Sequence, residues 1–203
     1  MDKNRIFNPD GNDNIAQRTI IKGNTTGLFN LNAVKYPWAK PMYQVMVGNF
    51  WVPEKVGGLG EDATMYQSLS PAEQRAYKGL ISFLTFLDSI QTVNLPNFSN
   101  YITSPEVNLL LSIQSFQEAI HSQSYTTILE TVVDANEREE IYYFWRKDPV
   151  LLERNDYIGR IYQDFQDNPN DANFFRGLIG NYLLESLYFY NGEDGEYYSF
   201  TNL

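Results

Sequence analysis

The sequence contains no cysteine, which excludes disulfides, thiolate zinc sites, iron–sulfur clusters and cysteine nucleophiles. It contains a single histidine, His121, so no site made by this chain alone has two imidazoles. Positive charge is scarce as well: 15 Lys and Arg stand against 25 Asp and Glu, a formal net charge of −10. Such a balance offers no electrostatic footprint for a phosphate backbone, and no nucleic-acid partner is expected. Long apolar runs are missing. The stretches Gly79–Leu87 and Leu109–Ile113 are too short to cross a bilayer, and the polar N-terminus lacks the apolar core of a signal peptide. The expectation is a cytoplasmic protein without a membrane partner. Aromatic residues are what the chain has in quantity, 13 Phe, 15 Tyr and 3 Trp in 203 residues, which is ample for a packed core and rules out disorder over most of the length.

Local signals are helical throughout. Residues 1–30 cluster Asn, Asp, Gly and Thr and read as an irregular or loosely docked arm. Tyr36–Trp51 spaces Tyr43, Val47 and Trp51 like a first helix, stopped by Pro53, and Gly57–Gly60 reads as a loop. Ser70-Pro71-Ala72-Glu73 is a capping box with Pro at the first helical position. From there Ala76, Leu80, Phe83, Leu84, Leu87 and Ile90 keep helical spacing until Pro96, where the pattern predicts an end. Ser104-Pro105-Glu106 opens another helix, reaching about Val133. Asp134–Arg138 reads as a polar break, followed by a helix through Tyr142–Arg146 and another over Val150–Gln166. After the turn Asn168–Asp171, a last helix spans Ala172–Tyr190 with Phe175, Ile179, Tyr182 and Leu183 on one face. Glu193–Leu203 breaks this style, with three acids, a Gly and no helical period, and reads as a tail. The fold class expected is all-α.

Polar groups on apolar helix faces carry the chemistry. Glu118 and His121 are three residues apart and share a helix face, so carboxylate and imidazole can grip one cation. Asp88, within Phe86–Ile90, and Glu185, within Leu183–Leu187, are each flanked by apolar neighbours. A buried carboxylate is costly without a partner, which can be a metal, an arginine or a hydrogen-bond network. Di-metal carboxylate bundles take single carboxylates from two helices and a Glu-x-x-His from each of two others. Asp88, Glu185 and the Glu118/His121 pair supply three of those four helices. Hard oxygen donors with one nitrogen suit iron or manganese better than zinc or copper. Tyr125, one turn past His121, is placed to lose a hydrogen atom to an oxidising metal pair. An iron-handling bundle and a metal-free helical interaction protein are the other readings open at this point.

Three strings resemble the small, radical-generating subunit of class I ribonucleotide reductase: Asn49–Glu54 (NFWVPE), Leu87–Gln91 (LDSIQ) and Glu118–Thr126 (EAIHSQSYT). Leu184–Gly192 (LESLYFYNG) resembles that family's third metal-binding helix. The likeness covers about residues 30–192 and is greatest to the class Ib, bacterial and phage-like branch. It implies a ferritin-like helical bundle over 31–192, incomplete at the C-terminus, with 193–203 as a non-homologous tail. It further implies two iron or manganese ions, with Asp88, Glu118 and His121 holding the first and Glu185 belonging to the second. Tyr125 would be the stable radical, and Trp51 would lie on the path that carries the radical equivalent, by way of Asp88 and His121, to the large catalytic subunit. A homodimer and a flavodoxin-like activator are implied partners. The family's fourth helix carries a second Glu-x-x-His, which a chain with one His cannot contain. The isolated chain is therefore expected to need a C-terminal fragment in trans, or to be inactive.

Overall fold

A computed structural model describes residues 6–190. Within them the chain forms seven α-helices: α1 (Ala39–Gly48), α2 (Leu59–Ser68), α3 (Pro71–Tyr101), α4 (Pro105–Val132), α5 (Ala135–Tyr142), α6 (Pro149–Asp167) and α7 (Asp171–Leu183). The last runs on into a π-helical stretch, Leu184–Tyr188. Among the described residues the only β-pairing is one antiparallel bridge, Ile21 to Ile102, so the all-α expectation holds. Asn191-Gly192 and the tail Glu193–Leu203 lie outside the described residues. Contacts divide the chain into two units, one made of the chain up to Trp51 with Gln91–Glu118, the other of Val52–Ile90 with the chain from Ala119 onward.

The first unit is organised by a buried ion pair. Glu106, in the first turn of α4, accepts from Arg18 Nη1 at 2.9 Å and from the Lys35 backbone N–H at 2.9 Å, and both charged side chains are almost wholly buried. The irregular arm is thereby tied down at two points. Beside it, the Thr103 N–H donates to the Ile20 carbonyl at 2.7 Å and the Gly23 N–H donates to the Thr103 hydroxyl at 2.8 Å. Gly23 is required there, because a Cβ would come within 2.9 Å of that hydroxyl oxygen. Leu95, Phe98 and Ile102 of α3 and its C-terminal end form the apolar side of this unit.

The second unit packs α2, α3, α4 and α5 around Tyr66, Tyr77, Ile81, Leu129, Val132 and Ile141. Elsewhere in it Phe86 stacks on Trp145 at 4.0 Å, and Ser82 accepts from the Trp145 N–H at 2.9 Å. Its helix starts follow the chemistry of the sequence. The Ser70 N–H donates to Glu73 at 2.7 Å and the Glu73 N–H to the Ser70 hydroxyl at 3.4 Å, a reciprocal cap. Asp148 caps α6 by accepting from Val150 and Leu151, with Pro149 in the first turn, and Asn170 caps α7 by accepting from Asn173.

Four sequence expectations are corrected. Pro96 does not end α3, which continues to Tyr101. A proline removes one intrahelical N–H, and here the flanking Leu95 and Phe98 are fully buried, so packing carries the helix past it. α2 occupies residues read as a loop and its aftermath; Gly58, at φ +91°, makes the left-handed entry that precedes it. α5 occupies the expected polar break from Ala135 onward, and Phe144–Arg146 is only a 3-10 turn. On α7 the expected apolar face of Phe175, Ile179 and Tyr182 is exposed, whereas Phe174, Gly177 and Gly180 are buried. Gly180 lets α7 approach α6 closely; a Cβ there would meet the Ile161 side chain at 3.3 Å.

Burial pushes the Glu106 carboxyl up, but the backbone N–H groups of Glu106 itself and Lys35, together with Arg18, outweigh it and hold the group below its ordinary value of 4.5. A lowered folded-state value means that the stabilisation is complete above the unfolded value and is lost as pH falls through the folded one. Arg18→Ala is expected to cost about 3 kcal/mol, because it strands a buried carboxylate. Urea unfolding should show that loss at pH 7, and hydrogen exchange should show the arm released first. The stability gap between wild type and Glu106→Gln should stay constant down to about pH 5 and close only below 4.5; a gap that closes between pH 7 and 5 would refute the assignment.

Candidate metal centre

α3 places Asp88 one residue after Leu87 and one turn after Leu84, both fully buried, so the helix face that seats these leucines also takes the carboxylate inside. Asp88 is 1% exposed and Glu118 3%. α4 places Glu118 and His121 one turn apart on one side of an unbroken helix. Glu118 closes the stretch of α4 that belongs to the first unit, and the helix itself fixes it relative to His121. In the second unit, His121 Nδ1 lies 4.0 Å from Asp88 Oδ1, with the imidazole 37% exposed. One ligand atom from each of Asp88, Glu118 and His121 lies within 4.8 Å of the others.

The donor set fits a divalent first-row ion. Metal–ligand bonds of about 2.0–2.2 Å put two donors at most roughly 4.4 Å apart, so this group needs only a small side-chain turn to close on one ion. Two carboxylate oxygens and one imidazole nitrogen are the hard, mixed set that iron and manganese accept. Two buried carboxylates are costly without compensation, and a bound dication would supply it.

The remaining predicted residues are placed differently. Glu185 is exposed, on the π-helical stretch, and does not belong to the group of three. Its expected apolar surroundings are not met: Leu184 is the buried residue of that stretch, and Leu187 is exposed. A π turn takes one more residue than an α turn, and around it the buried side passes through Leu184 and Phe189. Tyr125 is half-buried, one turn past His121, and packs against the core cluster of the second unit. Trp51 is 40% exposed, between α1 and the 3-10 turn Pro53–Lys55. The sequence reading did not foresee that Gln123 Nε2 donates to Glu54 Oε1 at 3.1 Å. Gln123 and Glu54 belong to two of the quoted strings, and only their co-occurrence in those strings hinted at a contact. Among the described residues no helix is long and apolar enough to cross a membrane.

An all-helical chain that brings a Glu-x-x-His pair on one helix to an aspartate on another has the outline of a ferritin-like metal protein. Comparison with known proteins defines it further. Residues 28–202 match the family described as "Ribonucleotide reductase, small chain", and the chain belongs to that family. The match continues past Gly192, where the sequence reading had the likeness end. A ribonucleoside-diphosphate reductase subunit beta from Treponema pallidum is 45% identical over 192 residues, 95% of this chain and 54% of the relative. One from Aquifex aeolicus is 49% identical over 189 residues, 92% of this chain and 27% of the relative. The solved ribonucleotide reductase R2 subunit from Clostridium botulinum superimposes with a TM-score of 0.92 at 47% identity, covering 97% of this chain and 61% of that one. The ferritin-like fold expected from the sequence is the fold of these relatives. The chain spans about half the length of the first of the two curated relatives and about a quarter of the second.

Three donors acting as a set should bind Mn²⁺ in a way that depends on each of them. Calorimetric titration of the chain should show Asp88→Asn, Glu118→Gln and His121→Gln each weakening binding by about tenfold or more. Glu185→Gln should leave that same affinity largely unchanged. Equal binding by wild type and the first three variants would show that the group is not a site.

Proposed function

We propose that this chain is the N-terminal part of a ribonucleoside-diphosphate reductase small subunit, whose radical serves the conversion of ribonucleotides to deoxyribonucleotides in DNA precursor synthesis. The observation that carries the reading is the Asp88–Glu118–His121 group, with Tyr125 one helical turn beyond it. Asp88, Glu118 and His121 hold the first of two iron or manganese ions, and Glu185 contributes to the second. When bound, such a pair supplies the one-electron oxidising power to which Tyr125 gives up a hydrogen atom.

The protein's own residues do the rest. Packing against the core cluster holds the Tyr125 ring where bulk solvent reaches only part of it. Asp88 and His121, already within 4.0 Å of each other, pass the radical equivalent toward Trp51 and so to the large catalytic subunit. The protein works in the cytoplasm, as a homodimer with that large subunit, and with a flavodoxin-like activator.

The second ion needs donors that this chain does not carry, since its only histidine is already in the first group. A further polypeptide segment provides a second Glu-x-x-His. The exposed stripe of Phe175, Ile179, Tyr182, Leu187 and Tyr190 supports this. A helix that is apolar on both faces belongs inside a larger packing, and this chain covers only 61% of the solved relative.

The test is co-expression of this chain with the remaining, C-terminal part of the Clostridium botulinum relative, followed by loading with iron or manganese and exposure to oxygen. A tyrosyl radical should appear in the electron paramagnetic resonance spectrum. Tyr125→Phe should abolish it while leaving the metal-to-protein ratio unchanged. A radical that persists in Tyr125→Phe would remove Tyr125 from the role. Full radical content in the 203-residue chain alone would remove the need for a segment in trans.

A further inference from the structure

The arm of the first unit encloses a polar cavity of about 210 Å³. Arg18, Thr25 and Thr103 line it, each at least nine-tenths buried, and exposed Lys22 and Asn24 line it as well. Among the described residues two cations and no carboxylate form its walls. The acidic groups bonded to these residues are already served. Glu106 accepts from Arg18 and the Lys35 N–H, and Asp13 from the Thr25 hydroxyl and the Thr26 N–H, both at 3.1 Å. The Thr103 hydroxyl is engaged too, donating to the Thr19 carbonyl at 3.2 Å.

Arg18 is only partly used. Its Nη1 donates to Glu106 Oε2 at 2.9 Å and to the Ala33 carbonyl at 3.0 Å. Nε and Nη2 carry three more N–H donors, and among the described residues no acceptor takes them. A buried guanidinium with an unused edge is costly, and the cavity that Arg18 lines is the space open to that edge. Lys22, whose ammonium has three donors of its own, is held at φ +60°. A lysine rarely takes that left-handed conformation, and such strain persists only where the surroundings over-determine it. One residue on, the Gly23 N–H is fixed on the Thr103 hydroxyl at 2.8 Å.

We propose that this cavity binds one phosphate group, either free inorganic phosphate or the terminal phosphate of a nucleotide. The Nε–Nη2 edge of Arg18 and the Lys22 ammonium take its oxygens. A guanidinium edge offers two parallel N–H groups to a tetrahedral oxyanion, and an ammonium adds a point charge. A dianion matches the two cations of the lining. The cavity is smaller than the about 300–1,000 Å³ typical of sites for drug-sized ligands, so the phosphate group lies inside and any nucleoside attached to it lies outside. The net charge of −10 opposes a long polyanion spread over the surface, but a single enclosed group responds to the donors around it. Bound there, the phosphate joins Arg18, which pairs with the first turn of α4, to the left-handed turn at Lys22, and so fastens the arm. The site does not depend on the reductase reading.

The 203-residue chain is titrated calorimetrically with inorganic phosphate, with acetate and with ADP, the ionic strength being held constant with chloride. Phosphate should fill one saturable site. Lys22→Gln, at an exposed position, should weaken it at least tenfold, the loss of one charged hydrogen bond. Lys147→Gln, also exposed, should leave it unchanged. ADP binding tighter than phosphate, with the same dependence on Lys22, assigns the group to a nucleotide, and ADP binding no tighter assigns it to free phosphate. Hydrogen exchange in the wild-type chain should slow over residues 17–25 when phosphate replaces chloride, a readout that needs no variant to fold. Absence of saturable phosphate binding, equal binding by Lys22→Gln, acetate bound as tightly as phosphate, or unchanged exchange over residues 17–25 would overturn the proposal.

Discussion

Two carboxylates buried against one imidazole are the constraint around which the site is arranged. A carboxylate held away from water costs several kcal/mol unless something compensates for it, and Asp88 and Glu118 are both almost wholly inside. Asp88 takes its position from the leucine face of α3, and Glu118 from the same turn of α4 that presents His121. Helical spacing therefore fixes the donor geometry, and a cation bound there would offset the charge. Rigid helices are suited to this, because a donor set on loops would have to be ordered at the moment of binding, at an entropic cost.

The first unit shows the same problem solved with protein groups alone. Glu106 is buried to a similar degree, and there Arg18 and the Lys35 amide supply the compensation. Around Glu106 a cation from the chain is in contact. Around Asp88 and Glu118 the neighbouring titratable group that the geometry brings up is an imidazole, which is itself a metal ligand and carries a charge only when protonated.

Much of this was legible in the residues. The Ser70–Glu73 cap and the Pro105 start were marked by local chemistry, and the helices begin there. Asp88, Glu118 and His121 could be picked out because a polar residue amid leucines is informative in a way that a leucine among leucines is not. What escaped notice failed for identifiable reasons. α2 has little apolar pattern and begins after two glycines, so propensity and periodicity both argued against it. α5 is charge-rich and short, and its stability comes from Ile141 docking in the core rather than from its own sequence. Pro96 was read as a stop because the rule for prolines in helices concerns the lost hydrogen bond, and burial on both sides of the proline is invisible in one dimension.

The misreading of α7 is the most instructive, because its cause is physical rather than statistical. Face assignment by periodicity assumes that one side of a helix is polar and marks the exterior. α7 and its π-helical extension offer no such side. Phe174 and Leu184 are buried, Phe175, Ile179 and Tyr182 are exposed, and Gly180 lies where α6 comes close. Sequence alone cannot rank two apolar faces, and the choice falls to whichever partner is present. Within these residues that partner is α6, which leaves the other face, and Glu185 with it, turned outward. The exposure of Glu185 and that of the Phe175–Tyr190 stripe are therefore one observation. A segment packed on the stripe would bury the carboxylate at the same time, so that completion of the helix packing and the change in the surroundings of Glu185 would be a single event.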